Sequence, residues 1–251
     1  MNAEETNRDA NPYHDAELAD LYAGFGYEGT YSLVSRDLPG LLQRHVKGKK
    51  AVDFACGAGR STRLLKSLGY DAVGVDVSGE MLTRARRLDP EGDYRLIDEG
   101  SSGSFPAGSF DLVLSAFPFS STNSLRKITG MLSAFGGLVA EDGAVIAIEP
   151  TPEFYLHEWL SFTSNFPGNA AAVSGDPVRA AFRERPETPV TDYLWTHEDY
   201  LEAFDRAGLR MLEALRPLGS ATDPWDWISE SRVAPWVIYA LSSPAEQRLG
   251  P

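Results

Sequence analysis

Two glycines separated by one residue, Gly57 and Gly59, lie in the stretch Ala51-Val-Asp-Phe-Ala-Cys-Gly-Ala-Gly-Arg-Ser-Thr62, between a short apolar run and a helical one. With no Cβ at these positions, a small molecule can lie against the backbone. The helix that follows offers unpaired N–H groups and the positive end of its dipole, so the turn can hold a ligand's charged or polar tail. A second chemistry-bearing residue is Asp76, which ends the run Val73-Gly-Val-Asp76. A carboxylate at that strand end points at the same crevice and can accept two ribose hydroxyl hydrogen bonds. Thr62 stands where the dinucleotide turn G-x-G-x-x-G has its third glycine. A glycine turn followed by an acid at the end of the next strand therefore points to an adenosine-containing cofactor other than a dinucleotide.

Groups able to move a proton are few. Of the four histidines, His14 and His45 lie in the polar N-terminal part and read as surface residues, and His197 reads as a solvated first-turn helix residue. His157 follows Glu149 in an aromatic stretch facing a candidate substrate cavity, which makes it a candidate general base. Glu149 ends a strand at the same edge and is its rival. Phe117, Phe119, Tyr155, Trp159, Trp225 and Trp227 are candidates to wall an apolar substrate pocket or to fill the core. No histidine pair or acid–histidine grouping has metal-ligand spacing, so no metal is expected. The single cysteine, Cys56, excludes an internal disulfide and reads as a small apolar residue of the turn.

The elements that must position these groups alternate. Strands are expected at 51–55, 72–76, 93–97, 110–115 and 143–149, and helices at 60–68, 79–88 and 125–139. Gly69 closes the first of these helices and Ser78 caps the second. Upstream, Leu33, Val34, Leu38, Leu41, Leu42 and Val46 share a helical face, with Pro39 either bending that helix or starting it. Strand–helix alternation implies right-handed crossovers and a parallel sheet covered on both faces. Apolar runs such as Ala144-Val-Ile-Ala-Ile148 fit strands buried on both sides. Beyond Glu149 prolines alternate with aromatics up to residue 190, which predicts an inserted cap with one or two short helices. Thr196 caps a last helix that ends at Gly208, and strands at 209–215 and 233–241 follow.

The expected organisation is an N-terminal lid or helical segment over 1–45, a cofactor-binding core over 46–150, a substrate cap over 151–190, and a C-terminal helix with two strands over 191–251. With 251 residues, 43% of them hydrophobic, the chain can bury a sizeable core. A net charge of −13 and an isoelectric point near 4.7 argue against nucleic acid or an anionic membrane as partner. No apolar run is long enough to cross a bilayer, and the polar, acidic N-terminus is not a signal peptide. A cytoplasmic protein, monomeric or homodimeric, is expected.

Val52-Asp-Phe-Ala-Cys-Gly-Ala-Gly59 resembles the first motif of the class I S-adenosylmethionine-dependent methyltransferases. Val75-Asp-Val-Ser78 with Met81-Leu82 resembles their second motif, and Ile97-Asp-Glu99 with Phe105 to Val113 resembles the acid-bearing third motif and fourth strand. Leu138 to Glu149 is similar to the turn and fifth strand. The weaker N-terminal and cap features look like the small-molecule branch, which includes enzymes that N-methylate nucleotide sugars. The resemblance implies a Rossmann-like α/β fold. Its sheet would be seven-stranded and mostly parallel with an antiparallel last strand, covered by helices on both faces and joined by a small cap.

The resemblance also implies methyl transfer from S-adenosylmethionine to an oxygen, nitrogen or carbon of a small molecule. Ala55, Cys56, Gly57 and Gly59 would hold the methionine part, Asp76 the ribose, and Val77 and Met81 would flank the adenine. Asp98 would accept the adenine amino group and the Glu99 N–H would meet a ring nitrogen. Ser115 to Phe117 would lie beside the sulfonium, and Tyr22 would close over the cofactor. Tyr27, Phe119, Tyr155, Trp159 and Trp225 are the expected substrate contacts. Alanine stands at position 55 where the family usually has glycine. Two alternatives keep the fold: cofactor-assisted cyclisation or decarboxylation, and a binding protein without turnover.

Overall fold

The computed structural model describes residue 20 and residues 23–243. Seven strands form one sheet: β1 (Lys50–Phe54), β2 (Asp71–Asp76), β3 (Asp93–Leu96), β4 (Phe110–Ala116), β5 (Val139–Pro150), β9 (Arg210–Leu215) and β10 (Trp236–Ser242). Their order is β3-β2-β1-β4-β5-β10-β9. The first five pair in parallel, and β10 runs antiparallel to both of its neighbours. The Rossmann-like sheet with a reversed last strand is therefore present.

Helices α1 (Ser32–His45), α2 (Arg60–Ser67), α3 (Gly79–Leu88), α4 (Leu125–Leu138) and α5 (His197–Arg206) cover it. Strand residues alternate between two packed layers. On one face Leu33, Leu38, Leu41 and Leu42 of α1 join Leu65 of α2 and the strand residues Leu112, Leu114, Ile146 and Ile148. On the other, Ile128, Leu132 and Phe135 of α4 and Phe204 of α5 join Val52, Val113, Val145 and Val237. Helix α1 starts at Ser32 and runs through Pro39. Ser78 caps α3 by accepting the Met81 N–H, and Thr196 and Asp199 form a capping box on α5.

The sheet order reverses between β1 and β4. In open α/β sheets, ligands bind outside the strand C-termini at such a point. Register aligns Phe54 with Val75 on one side and with Ser115 on the other, so the ends of β1, β2 and β4 form one rim.

The cap departs from expectation in one respect. The two short helices expected between 151 and 190 are present as 3₁₀ helices, Pro152–Leu156 and Asn169–Ala171, but they accompany a separate antiparallel sheet, β6 (Phe162–Thr163), β7 (Pro177–Phe182) and β8 (Val190–Tyr193), ordered β6-β7-β8, that the sequence reading does not contain. Prolines spaced every few residues remove the donors that a longer helix needs. Residues Val178, Ala180 and Phe182 alternate inward on β7.

Candidate functional site

The glycine turn leaves β1 through left-handed backbone at Ala55 (φ 56°), Gly57 (54°) and Gly59 (77°). Ala55 occupies a glycine conformation, at a cost of roughly 1–2 kcal/mol. Asp76 holds the turn from the neighbouring strand: its Oδ2 accepts the Gly57 N–H at 2.8 Å and its Oδ1 accepts the Ser78 N–H at 2.8 Å. The Cys56 N–H donates to the Val75 carbonyl at 3.0 Å. Burial pushes the Cys56 thiol well up, which makes it inert as a nucleophile. The absent third glycine has a counterpart across the sheet. Thr62 fills that position on α2, and a Cβ on Gly74 of β2 would come within 2.8 Å of the Thr62 Oγ1.

Asp53, on β1 beneath the turn, is fully buried. Its Oδ2 accepts from the Ser61 hydroxyl at 2.7 Å and the Thr62 hydroxyl at 2.6 Å. Its Oδ1 has no partner among the described residues. Burial raises its carboxyl to about 6 against the two hydroxyls, and the charge of Asp76 adds to the rise. The Ser115 hydroxyl, at the facing end of β4, is also buried and has no partner among the described residues. Two orphaned polar atoms beside a left-handed turn are what a polar ligand tail would satisfy. Asp53 was not among the expected site residues; the signal was an acid inside an apolar strand.

Along the rim, Val77 is exposed, and Met81 is buried with its Cε 3.0 Å from where a Cβ on Gly57 would lie. The Ile97 N–H donates to the Asp76 carbonyl at 3.0 Å, which carries the exposed pair Asp98 and Glu99 to the same rim. Glu99 pairs with Lys127 at 3.3 Å. Phe117, just past β4, has φ 68°. Tyr22 lies outside the described residues. Among the described residues no group of three His, Cys, Asp or Glu could hold a metal ion.

A cleft open to solvent lies against the cap sheet, bordered by Phe117, Ser120 and Ser121 of the loop that leaves β4. Its aromatic walls are Tyr31, Phe117, Phe154, Phe162, Phe182 and Trp236. Tyr31 stacks on Trp236 at 5.5 Å, and Phe25 of the N-terminal segment stacks on Phe182 at 3.7 Å between ring centroids. The Arg60 guanidinium, in the first turn of α2, lies 3.8 Å from the Tyr31 ring and 5.2 Å from that of Tyr27. Tyr27 thus lies against the glycine-turn helix, and burial pushes its phenol up to about 12. Asp192 of β8 also lines the cleft and accepts the Tyr155 hydroxyl at 3.0 Å. Burial raises the Asp192 carboxyl to about 6.

Several expected contacts are placed elsewhere. Phe119 is fully buried on the opposite sheet face against Phe135 and Tyr200. Trp159 is fully buried and donates its indole N–H to the Phe154 carbonyl. Trp225 packs against Trp227 in the loop before β10. None of the three lines the cleft, because the cap folds as a sheet whose own aromatics take that place. Tyr155 backs the cleft through Asp192. His157 packs edge-on against Trp159 at 6.0 Å and does not line the cleft either. Glu149 is fully buried, its two oxygens accepting the Phe119 and Ser120 N–H groups at 3.1 Å each. Burial pushes its carboxyl well up against those two donors, and the charge of Asp192 raises it further. The cleft aromatics Tyr31, Phe154, Phe162, Phe182 and Trp236 were not expected there. Their spacing along the chain carries no signal, since three separate segments contribute them.

Residues 52–147 match the model of a family described as a methyltransferase domain. Over 221 residues the chain is 28% identical to the dTDP-3-amino-3,6-dideoxy-alpha-D-glucopyranose N,N-dimethyltransferase of Streptomyces fradiae, covering 78% of this chain and 85% of that one. It is also 28% identical to the dTDP-3-amino-3,4,6-trideoxy-alpha-D-glucopyranose N,N-dimethyltransferase of Streptomyces venezuelae, over 79% and 92% of the two chains. In fold it is similar to an S-adenosylmethionine-dependent methyltransferase of Clostridium acetobutylicum, with a TM-score of 0.62 at 14% identity over 94% of this chain and all of the other. Residues 52–147 therefore carry a methyltransferase domain, and the sheet order and glycine turn are similar to those of S-adenosylmethionine-dependent methyltransferases.

Proposed function

We propose that this enzyme methylates a small-molecule acceptor bound in the aromatic cleft, with the cofactor along the rim of β1, β2 and β4. The observation that carries the reading is that cleft and rim meet at Phe117, so a donor and an acceptor can share one boundary. Backbone at Ala55, Cys56, Gly57 and Gly59 holds the methionine part, with the orphaned Asp53 oxygen available to its ammonium. Asp76 takes the ribose, Val77 and Met81 flank the adenine, and Asp98 and the Glu99 N–H meet its edge. Ser115 and Phe117 lie beside the sulfonium. When bound, S-adenosylmethionine supplies a methyl group already activated by the positive sulfur. The protein must align the acceptor atom about 3 Å from it and keep water out. The N-terminal segment and the cap sheet supply that enclosure. A nitrogen acceptor is favoured by the two relatives named as amino-sugar N,N-dimethyltransferases.

S-adenosylhomocysteine at about 100 times its dissociation constant adds about 2.7 kcal/mol of stability, a rise in Tm of several degrees for a chain of this size. Thermal unfolding of the wild type should show that rise, and Asp76→Ala should lose most of it. A wild type with no shift at saturating ligand would sink the reading.

A further inference from the structure

We infer that Asp192 is the residue that selects the acceptor, by pairing with a cationic amine inside the aromatic cleft. The inference rests on the cleft being the acceptor site, as proposed above, and goes on to name the acceptor's charge. Among the described residues that line the cleft, Asp192 alone carries a formal charge. Its hydrogen-bond partner is a neutral phenol, Tyr155, and no ion pair is made to it among the described residues. It stands half-buried in a cleft whose walls hold six aromatic rings. A carboxylate left in such surroundings without a counter-ion is costly. A neutral acceptor leaves that cost in place and an anionic one adds repulsion. An ammonium removes it by pairing with the carboxylate, and the aromatic walls add cation–π attraction.

The backbone holds Asp192 at the reacting end of the cleft. The Tyr193 N–H donates to the Ser120 carbonyl at 2.7 Å, tying β8 to the loop that leaves β4. Glu149 fixes the same loop from below through the Phe119 and Ser120 N–H groups. Asp192 therefore stands beside the strand end at which Phe117 joins cleft and rim. There it can accept one N–H proton from the ammonium. The proton moves from nitrogen to a carboxylate oxygen, both charges are neutralised, and the nitrogen lone pair is freed to react.

The test uses three probes of one shape, cyclohexylammonium, cyclohexanol and cyclohexanecarboxylate. Each is titrated calorimetrically into the full chain saturated with S-adenosylhomocysteine at pH 7.5. The wild type should bind the cation at least tenfold tighter than the alcohol, and the carboxylate most weakly. Asp192→Asn should bind cation and alcohol equally. Equal affinity for the three probes in the wild type overturns the inference without needing any variant. A cation preference that survives in a folded Asp192→Asn overturns it too. The S-adenosylhomocysteine thermal shift, read on the same samples, separates the two levels. If it persists without charge selectivity, Asp192 is not the selector and the cofactor reading stands; if it is absent from the wild type, both fall.

Discussion

Asp53 shows how one buried carboxyl reports on its surroundings. Burial places its folded pKa at about 6, against 3.8 for the ordinary group. Between these values the unfolded chain has released the proton while the folded chain keeps it. Folding stability from this residue is thus fully present below pH 4 and is lost as pH rises through 6. The loss runs at about 1.4 kcal/mol per pH unit and approaches about 3 kcal/mol. Asp53→Asn abolishes that contribution, so its calorimetric Tm should fall less steeply than that of the wild type between pH 4 and 7. Parallel curves would mean that the carboxylate is not charged against burial. A bound S-adenosylhomocysteine, whose ammonium meets the orphaned oxygen in the reading above, should flatten the wild-type curve as well.

At the scale of elements, the strand ends were legible and the cap was not. Buried parallel strands leave continuous apolar runs, and Gly57, Gly59 and Asp76 mark the turn because few residue types satisfy its backbone and its hydrogen bonds. The missing third glycine told against a dinucleotide, while its replacement by clearance at Gly74 needed the register of β2 to be seen. The cap sheet escaped because proline-spaced aromatics fit a short helix as readily as a short strand; pairing with distant segments decided between them. Glu149 was legible as a residue at the right edge, but its hold on the Phe119 and Ser120 N–H groups was not, because that depends on the loop beyond β4 folding back onto it. A base and a loop clamp give different results. Glu149→Gln turns an amide donor against a backbone N–H, at a cost of about 1–3 kcal/mol in urea unfolding. It should raise KM for the acceptor while leaving the pH profile of kcat in place. A lost acidic limb in that profile would restore Glu149 as the base.

The whole molecule is closed by one buried acid far from the glycine turn in sequence. Glu230 is fully buried and accepts the Thr30 hydroxyl at 2.7 Å, the Leu160 N–H at 2.7 Å, and the Ile228 and Ser229 N–H groups at 3.0 and 3.1 Å. Thr30 and Ser161 exchange two further bonds at 3.0 Å, and the Trp236 indole donates to the Thr30 carbonyl at 3.0 Å. The N-terminal segment, the cap and the loop before β10 therefore meet at a single carboxylate, and the first two border the cleft with Trp236, where that loop ends. Removing it leaves four donors without their acceptor, those of Thr30 and Ser229 buried, which costs several kcal/mol if they stay so. The cheaper outcome is local opening, since the seven-stranded sheet does not depend on this node. Glu230→Ala should therefore raise amide exchange at 29–31, 160–163 and 228–230 while β1, β4 and β5 stay protected. S-adenosylhomocysteine binding at the rim should weaken less than binding of cyclohexylammonium in the cleft. Uniform loss of protection across the sheet would show instead that the node holds up the fold as a whole, and that the cap and the N-terminal segment do not open separately from it.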